Sequence, residues 1–169
     1  MKNFLKFSGV IAMVLAIVAI ILMMATPVLI YDGTVLGTKV HDEIVGTNAI
    51  FGAENTKLAW AALLAWIFVL VAAVVLLAGV VLPLFGIKAL QKFAGVLNLC
   101  VVCLLVVAGI FMFITKGAFI NANNDSWNVV GTLLKDYKMG VGWVIGAILA
   151  IAGGVIAILP ACVNLVSKK

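Results

Sequence analysis

The sequence predicts an all-α integral membrane protein folded as a bundle of four transmembrane helices. Of its 169 residues, 66% are hydrophobic and only 10% are charged, and the mean hydropathy is +1.35. A soluble domain, by contrast, has about a quarter of its residues charged. The apolar residues fall into four long blocks, each near the roughly 20 residues that a helix needs to cross a hydrocarbon core. One membrane domain therefore accounts for residues 1–169.

None of the four predicted spans contains a charged side chain. The spans cover residues 7–30, 58–82, 93–115 and 139–166. Between them lie a first outer loop at 31–57, a short inner turn at 83–92 and a second outer loop at 116–138. Because exposed backbone groups find no partner in hydrocarbon, each span is expected to be a helix.

The charges predict that both chain ends and the short turn face the cytoplasm. These three segments carry six lysines and no acidic residue, whereas the two long loops carry six acidic residues and five lysines. An excess of lysine in short segments marks the cytoplasmic side. All four Trp and both Tyr then fall in the outer half, where aromatic rings favour the membrane interface. The lysines concerned are Lys2, Lys6, Lys88, Lys92, Lys168 and Lys169.

Both outer loops show signs of regular structure. In the first, short β-branched runs from Thr34 to Val40 and from Ile44 to Thr47, followed by Ile50 and Phe51, are punctuated by glycine and predict two or three small strands. In the second, apolar residues recur at spacings of three, four and three behind a possible cap at Asp125 or Ser126. This pattern predicts a short amphipathic helix that forms an outer interface on the membrane or caps the bundle. Its apolar residues are Trp127, Val130, Leu134 and Tyr137.

Small residues at helical spacing predict close helix contacts, because lipid supplies no hydrophobic drive between helices. The fourth span carries one such strip and the first span another. Such strips serve either contact within one bundle or dimerisation, and the pattern favours the bundle. The strips are Gly142, Gly146, Ala150 and Gly154 in the fourth span, and Gly9, Ala12, Ala16 and Ala19 in the first. Asn98 and Asn164, at similar depths in the third and fourth spans, are candidates for a hydrogen bond between helices.

The sequence offers no catalytic, metal or cofactor site. Cys100, Cys103 and Cys162 all lie toward the cytoplasmic half, away from any charge that would lower a thiol pKa, so small buried hydrophobes are expected rather than a redox pair. His41, Asp42 and Glu43 are consecutive, and adjacent side chains rarely converge on one ion. The eleven lysines are scattered, which argues against nucleic acid. We therefore expect a protein that is not an enzyme and binds no cofactor.

Transport is the alternative function. Transporters and channels usually show charges in the spans, broken helices or carbonyl-lined filters, and the sequence shows none of these. Pro27 and Pro83 lie at span ends, and Pro160 lies near one. An oligomer could still line a pore with its Gly and Ala faces. An oligomeric channel or transporter component thus stays open as the second hypothesis.

Several features of the layout are shared with one known family. They are the cytoplasmic ends, the larger first loop with strand content, the short inner turn, and a fourth span that opens with Gly142-Trp143 and contains Gly153-Gly154. In these features the chain resembles claudins and peripheral-myelin-protein-like tetraspan proteins. Its first loop is about half as long and lacks the W-x-x-G-L-W signature and the paired cysteines, so no functional residue is carried over. The resemblance implies lateral or cell-to-cell protein contact.

The sequence thus predicts a tetraspan protein that acts by association, with itself or as a small subunit of a larger membrane complex. The contacts would use its outer loops and its small-residue helix faces. Its expected partners are membrane lipid, other copies and other membrane proteins, with no nucleic acid. Lysine without arginine fits an AT-rich bacterial genome, so the expected location is a bacterial plasma membrane.

Cysteine labelling tests the predicted orientation. In a cysteine-free background, single cysteines at Thr47 and Asn123 should react with an impermeant maleimide in intact cells, because both positions are predicted to lie outside. A cysteine at Ser167 should react only after the membrane is opened. The reverse pattern of labelling would contradict the orientation.

Overall fold

The computed structural model describes residues 2–35, 37–54, 56–84, 94–123 and 136–166. Four of its helices are long and apolar enough to cross a membrane. A small three-stranded sheet lies at one end, which we call the sheet end. The four long helices and the strands of the first loop, both predicted from the sequence, are confirmed. The elements are α1 (Lys2–Ala25), β1 (Pro27–Val35), β2 (Thr38–Val45), α2 (Gly46–Phe51), α3 (Trp60–Leu84), α4 (Ala94–Asn123), β3 (Lys138–Met139) and α5 (Val141–Val166).

The four long helices form a closed ring in which each packs on two neighbours. Helix α1 contacts α3 and α5, and α4 contacts the same two helices from the other side. The most extensive seam is between α4 and α5. Successive long helices alternate in direction, so α1 and α4 end at the sheet end and α3 and α5 begin there.

The interior of this ring is filled by apolar side chains. The largest of the fully buried ones are Trp143, Phe119 and Met23. Alanines are buried along the seams, among them Ala12, Ala16, Ala19 and Ala150. Small side chains let the backbones approach closely, which is how helices gain packing energy where lipid gives no hydrophobic drive.

The small residues of α5 contact two helices rather than one. A Cβ atom added at Gly142 would lie 2.5 Å from Thr26 at the end of α1, whereas one added at Gly154 would lie 3.0 Å from Val106 of α4. Gly146 lies between them, near Ala19 of α1 and Met112 of α4. At 3.6 residues per turn, a step of four residues rotates by about 40°, so the strip turns by about 120° between its ends. A strip of small residues that repeats every four positions therefore contacts both α1 and α4.

Two of the long helices end five or more residues away from their predicted ends. Helix α1 ends at Ala25 rather than Ile30, because Pro27 cannot continue a helix and the apolar run Pro27–Ile30 pairs as a strand. Helix α4 continues past Thr115 to Asn123, across Lys116 and Gly117. Its 30 residues measure about 45 Å, which exceeds the roughly 30 Å hydrocarbon core. The last turn of α4 contacts the segment before α3, where Asn123 binds the backbone of Lys57.

The first loop folds as a hairpin followed by a short helix. Strands β1 and β2 pair from Thr34 with Lys39 to Leu29 with Ile44, and Gly37 at the turn has a positive φ of 83°. The prediction of strand structure is wrong from Gly46 to Phe51, which form α2. The predicted amphipathic helix of the second loop, with Trp127, Val130 and Leu134, lies outside the described residues.

The seam between α4 and α5 can be tested with two glycines of the same helix. A Cβ atom at Gly109 would lie 2.4 Å from Ile151 Cγ1 and 3.0 Å from the Ala147 carbonyl oxygen, whereas one at Gly117 would meet nothing within 4 Å. Gly109→Ala should lower the free energy of unfolding by about 1 to 3 kcal/mol through overpacking. Gly117→Ala should be neutral or stabilising, because alanine favours the helix by up to about 1 kcal/mol. Unfolding in detergent micelles measures both, and equal effects would contradict the assigned seam.

Candidate functional site at the sheet end

Helix α1 passes into the central strand of the sheet through one residue, Thr26. The Thr26 hydroxyl donates to the Leu22 carbonyl oxygen at 2.6 Å, and its backbone N–H donates to the same oxygen at 3.1 Å. Its own carbonyl oxygen accepts from the N–H of Gly46 at 3.0 Å. The residue thereby ends one helix and anchors the start of α2.

The sheet has strand order β2-β1-β3, and all its pairs are antiparallel. Alternate side chains of a strand point to opposite sides, so the hairpin has two different faces. Its buried face carries Leu29, Tyr31, Asp42 and Ile44, of which all but the half-buried Asp42 are buried. Its polar face carries Asp32, Thr34, Lys39, His41 and Glu43, all exposed.

On the polar face, His41 lies between two carboxylates. Its Nδ1 is 2.5 Å from Asp32 Oδ1, on the opposite strand, and its Nε2 is 3.1 Å from Glu43 Oε1, on its own strand. These two hydrogen bonds, with that of Asp32 the stronger cause, raise the pKa of His41 above the ordinary value of 6.5. A doubly protonated ring donates to both carboxylates, which makes it a short bridge across the hairpin.

The two carboxylates approach opposite sides of the imidazole ring, so the three groups do not converge on one point. Among the described residues no group of three or more His, Cys, Asp or Glu could hold a metal ion. A shallow depression of about 400 Å³ lies beside the ring at the hairpin end. It is lined by Asp32, Gly33, Thr34, Lys39, Val40 and His41.

On the buried face, Tyr137 connects the second loop to the hairpin. Its hydroxyl donates a short hydrogen bond to Asp42 Oδ2, and its ring lies 5.2 Å from that of Tyr31. Burial, and then the bond to Asp42, raise the pKa of Tyr137 above its usual range. Tyr137 is only 3% exposed. It packs beneath the sheet because it directly precedes β3, which pairs with β1.

Asn123 fixes the loop that precedes α3. Its side-chain Oδ1 accepts from the Lys57 N–H at 2.6 Å, and its Nδ2 donates to the Lys57 carbonyl oxygen at 3.0 Å and to that of Phe119 at 2.9 Å. The side chain is fully buried. A cysteine at Asn123 would therefore disturb the fold, and the exposed Lys39 is a better position for the labelling test.

Helix α2 packs against both α1 and α3. Its Ala49 and Ile50 are fully buried, and the Ala49 carbonyl oxygen accepts from the Ala59 N–H at 2.8 Å. Phe51, half exposed, meets Trp66 of α3 edge-on with ring centroids 5.2 Å apart. The last part of the first loop, α2, thus packs between α1 and α3.

The predicted helix-packing residues lie on the inward sides of α1 and α5. Ala12, Ala16, Ala19 and Ala150 are fully buried, and Gly9 is half-buried. Of the two asparagines, Asn98 is half-buried on α4, and the side chain of Asn164 lies outside the described residues. All three cysteines are free and exposed on the helix surfaces, which differs from the buried position predicted for them.

The pairing of Asp32 with His41 and the role of Asn123 were not predicted from the sequence. The first could have been found from the hairpin, because a turn between Val35 and Thr38 places Asp32 directly opposite His41. The second had no local signal, because Asn123 and Lys57 are 66 residues apart.

No protein-family model matches the chain, and no curated protein shows significant sequence similarity to it.

The bond between Asn123 and Lys57 can be tested with a neighbouring asparagine as control. Asn123→Ala should lower the free energy of unfolding by about 1 to 3 kcal/mol, because backbone groups of Lys57 lose their partners. Asn121→Ala, at an exposed position of the same helix, should change it by less than about 0.5 kcal/mol. Hydrogen exchange at the Lys57 amide should quicken only in the first variant. Equal effects of the two substitutions would rule out the bond.

Proposed function

We propose that this chain is a multi-pass membrane protein that acts by protein–protein association, with itself or as a small subunit of a larger assembly. The contact surface is the sheet end. The observation that carries the proposal is the contrast between an apolar bundle interior and an exposed, polar hairpin face held at one end of it.

The interior argues against chemistry or conduction within one bundle. From Phe7 onward, α1, α3 and α5 contain no charged side chain, and Lys116 is the only one in α4. Large side chains such as Trp143, Phe119 and Met112 occupy the core, and the Trp143 indole N–H donates to the Met112 carbonyl oxygen at 3.0 Å. An ion pathway needs charges, carbonyl rings or water to replace hydration. A catalytic centre needs an activated group in a cleft.

The hairpin provides the features of a recognition surface. Tyr137 holds its buried face from below, so the polar face is already ordered before a partner binds. A preorganised surface loses less conformational entropy when it binds. Lys39, together with the carboxylates beside His41, gives this face charges of both signs, which favour a partner with a complementary pattern.

The orientation proposed for the chain places the sheet end outside the cytoplasm. It rests on the six lysines, without acidic residues, in the two chain ends and the short segment between α3 and α4. The plasma membrane of a bacterium is the proposed location, and lateral or cell-to-cell contact is the class of function that the claudin-like layout suggests.

Mass measurement with a surface variant tests the association. We expect the protein, purified in mild detergent and in lipid nanodiscs, to be an oligomer or to retain a partner in fixed stoichiometry by native mass spectrometry. Lys39→Glu reverses an exposed charge on the polar face and should weaken the complex by about fivefold, equivalent to about 1 kcal/mol. Glu54→Lys, exposed but off the hairpin, is the matched control and should leave the complex intact.

Liposome flux separates association from the second hypothesis. We expect no selective ion or solute flux above protein-free controls. A flux abolished by Asn98→Leu would favour an oligomeric channel instead. A bare monomer in both detergent and nanodiscs would contradict association.

A further inference from the structure

We propose that the hairpin of β1 and β2 is a pH-responsive element, closed by the bridge of His41 to Asp32 and Glu43 and loosened when the imidazole loses its proton. The proposal concerns the hairpin itself and does not depend on the proposed partner. The bridge joins two strands, since Asp32 belongs to β1 and both other residues to β2.

Geometry makes the bridge depend on the charge of the ring. With both nitrogens protonated, each donates to a carboxylate oxygen, at 2.5 Å for Asp32 and 3.1 Å for Glu43. The neutral ring keeps one proton, so one nitrogen becomes an acceptor. That nitrogen would then face a carboxylate oxygen with no hydrogen between them, and the two lone pairs would repel. One of the two contacts must open.

The groups around His41 do not replace the lost bond. Across the strand pair its neighbour is Asp32, and along its own strand the residues on the same face are Lys39 and Glu43. Asp42 points to the other face, where it accepts from Tyr137. Two cations among the described residues share this face, Lys39 on β2 and Lys138 on β3, which pairs with Ile30 beside Glu43, and both oppose protonation of the ring. Once the imidazole is neutral, two carboxylates remain close together.

The pH window follows from the direction of the shift. The pKa of His41 is raised in the folded chain, so the bridge contributes its full stability below the ordinary value of 6.5. The contribution is lost as the pH rises through the higher, folded value. The hairpin should therefore be most ordered in mildly acidic surroundings and looser in alkaline ones.

NMR of the protein in lipid nanodiscs tests this directly, because His41 is the only histidine in the chain. Its ring resonances should titrate with a pKa above 6.5. Asp32→Asn should lower that pKa most, and Glu43→Gln should lower it less. Lys39→Gln removes a positive charge instead of a negative one, so it should not lower the pKa. Amide protection factors in β2 should fall severalfold through the same titration.

A His41→Gln variant separates the bridge from general effects of pH. Its protection factors, corrected for intrinsic exchange, should stay constant over that range while the sheet stays folded. The proposal is overturned if His41 titrates at or below 6.5, or if neither carboxylate variant lowers its pKa. Protection factors that do not change across the titration, or that change equally in His41→Gln, would also overturn it.

Discussion

Thr26 joins helix α1 directly to the central strand of the sheet, and β2, β3 and the start of α2 all hydrogen-bond to this part of the chain. A backbone leaving hydrocarbon must exchange helix bonds for other partners at once. Here the strand itself supplies them, because β1 is central and pairs on both sides. Two glycines make this possible. A Cβ atom at Gly46 would lie 1.7 Å from the Met23 carbonyl oxygen, and one at Gly140 would lie 1.9 Å from that of Pro27.

The long helices could be predicted because a membrane imposes both length and composition on them. The ends could not, because hydropathy does not distinguish an apolar strand from an apolar helix. Pro27–Ile30 is such a case. Lys116 and Gly117 are typical of a loop, yet the helix continues because Ala118 and Phe119 are buried and Asn123 has a partner in the first loop. Such tertiary contacts override local preference.

The polar contacts of single residues could likewise be predicted only in part from the sequence. Strand periodicity explains why His41, Asp42 and Glu43 do not form one site. His41 and Glu43 share a face and hydrogen-bond to each other, whereas Asp42 points to the opposite face. Two further partners lie outside this run of three residues, Asp32 for His41 and Tyr137 for Asp42. The first lies within the same hairpin and was within reach of a register argument. The second is 95 residues from Asp42 and becomes visible only in the fold.

The long separation between these partners has a consequence for biosynthesis. The hairpin is local and can form as soon as its own residues have left the ribosome. The contacts that support the sheet end form later. Asn123, the partner of Lys57, is 66 residues further along the chain, and Tyr137, the partner of Asp42, is 95 residues further along. At about 5 to 20 residues per second, these delays amount to roughly 3 to 20 seconds. Until then the hairpin lacks Tyr137 beneath it and the segment before α3 lacks its contact with Asn123, so the sheet end is completed only by the second half of the chain.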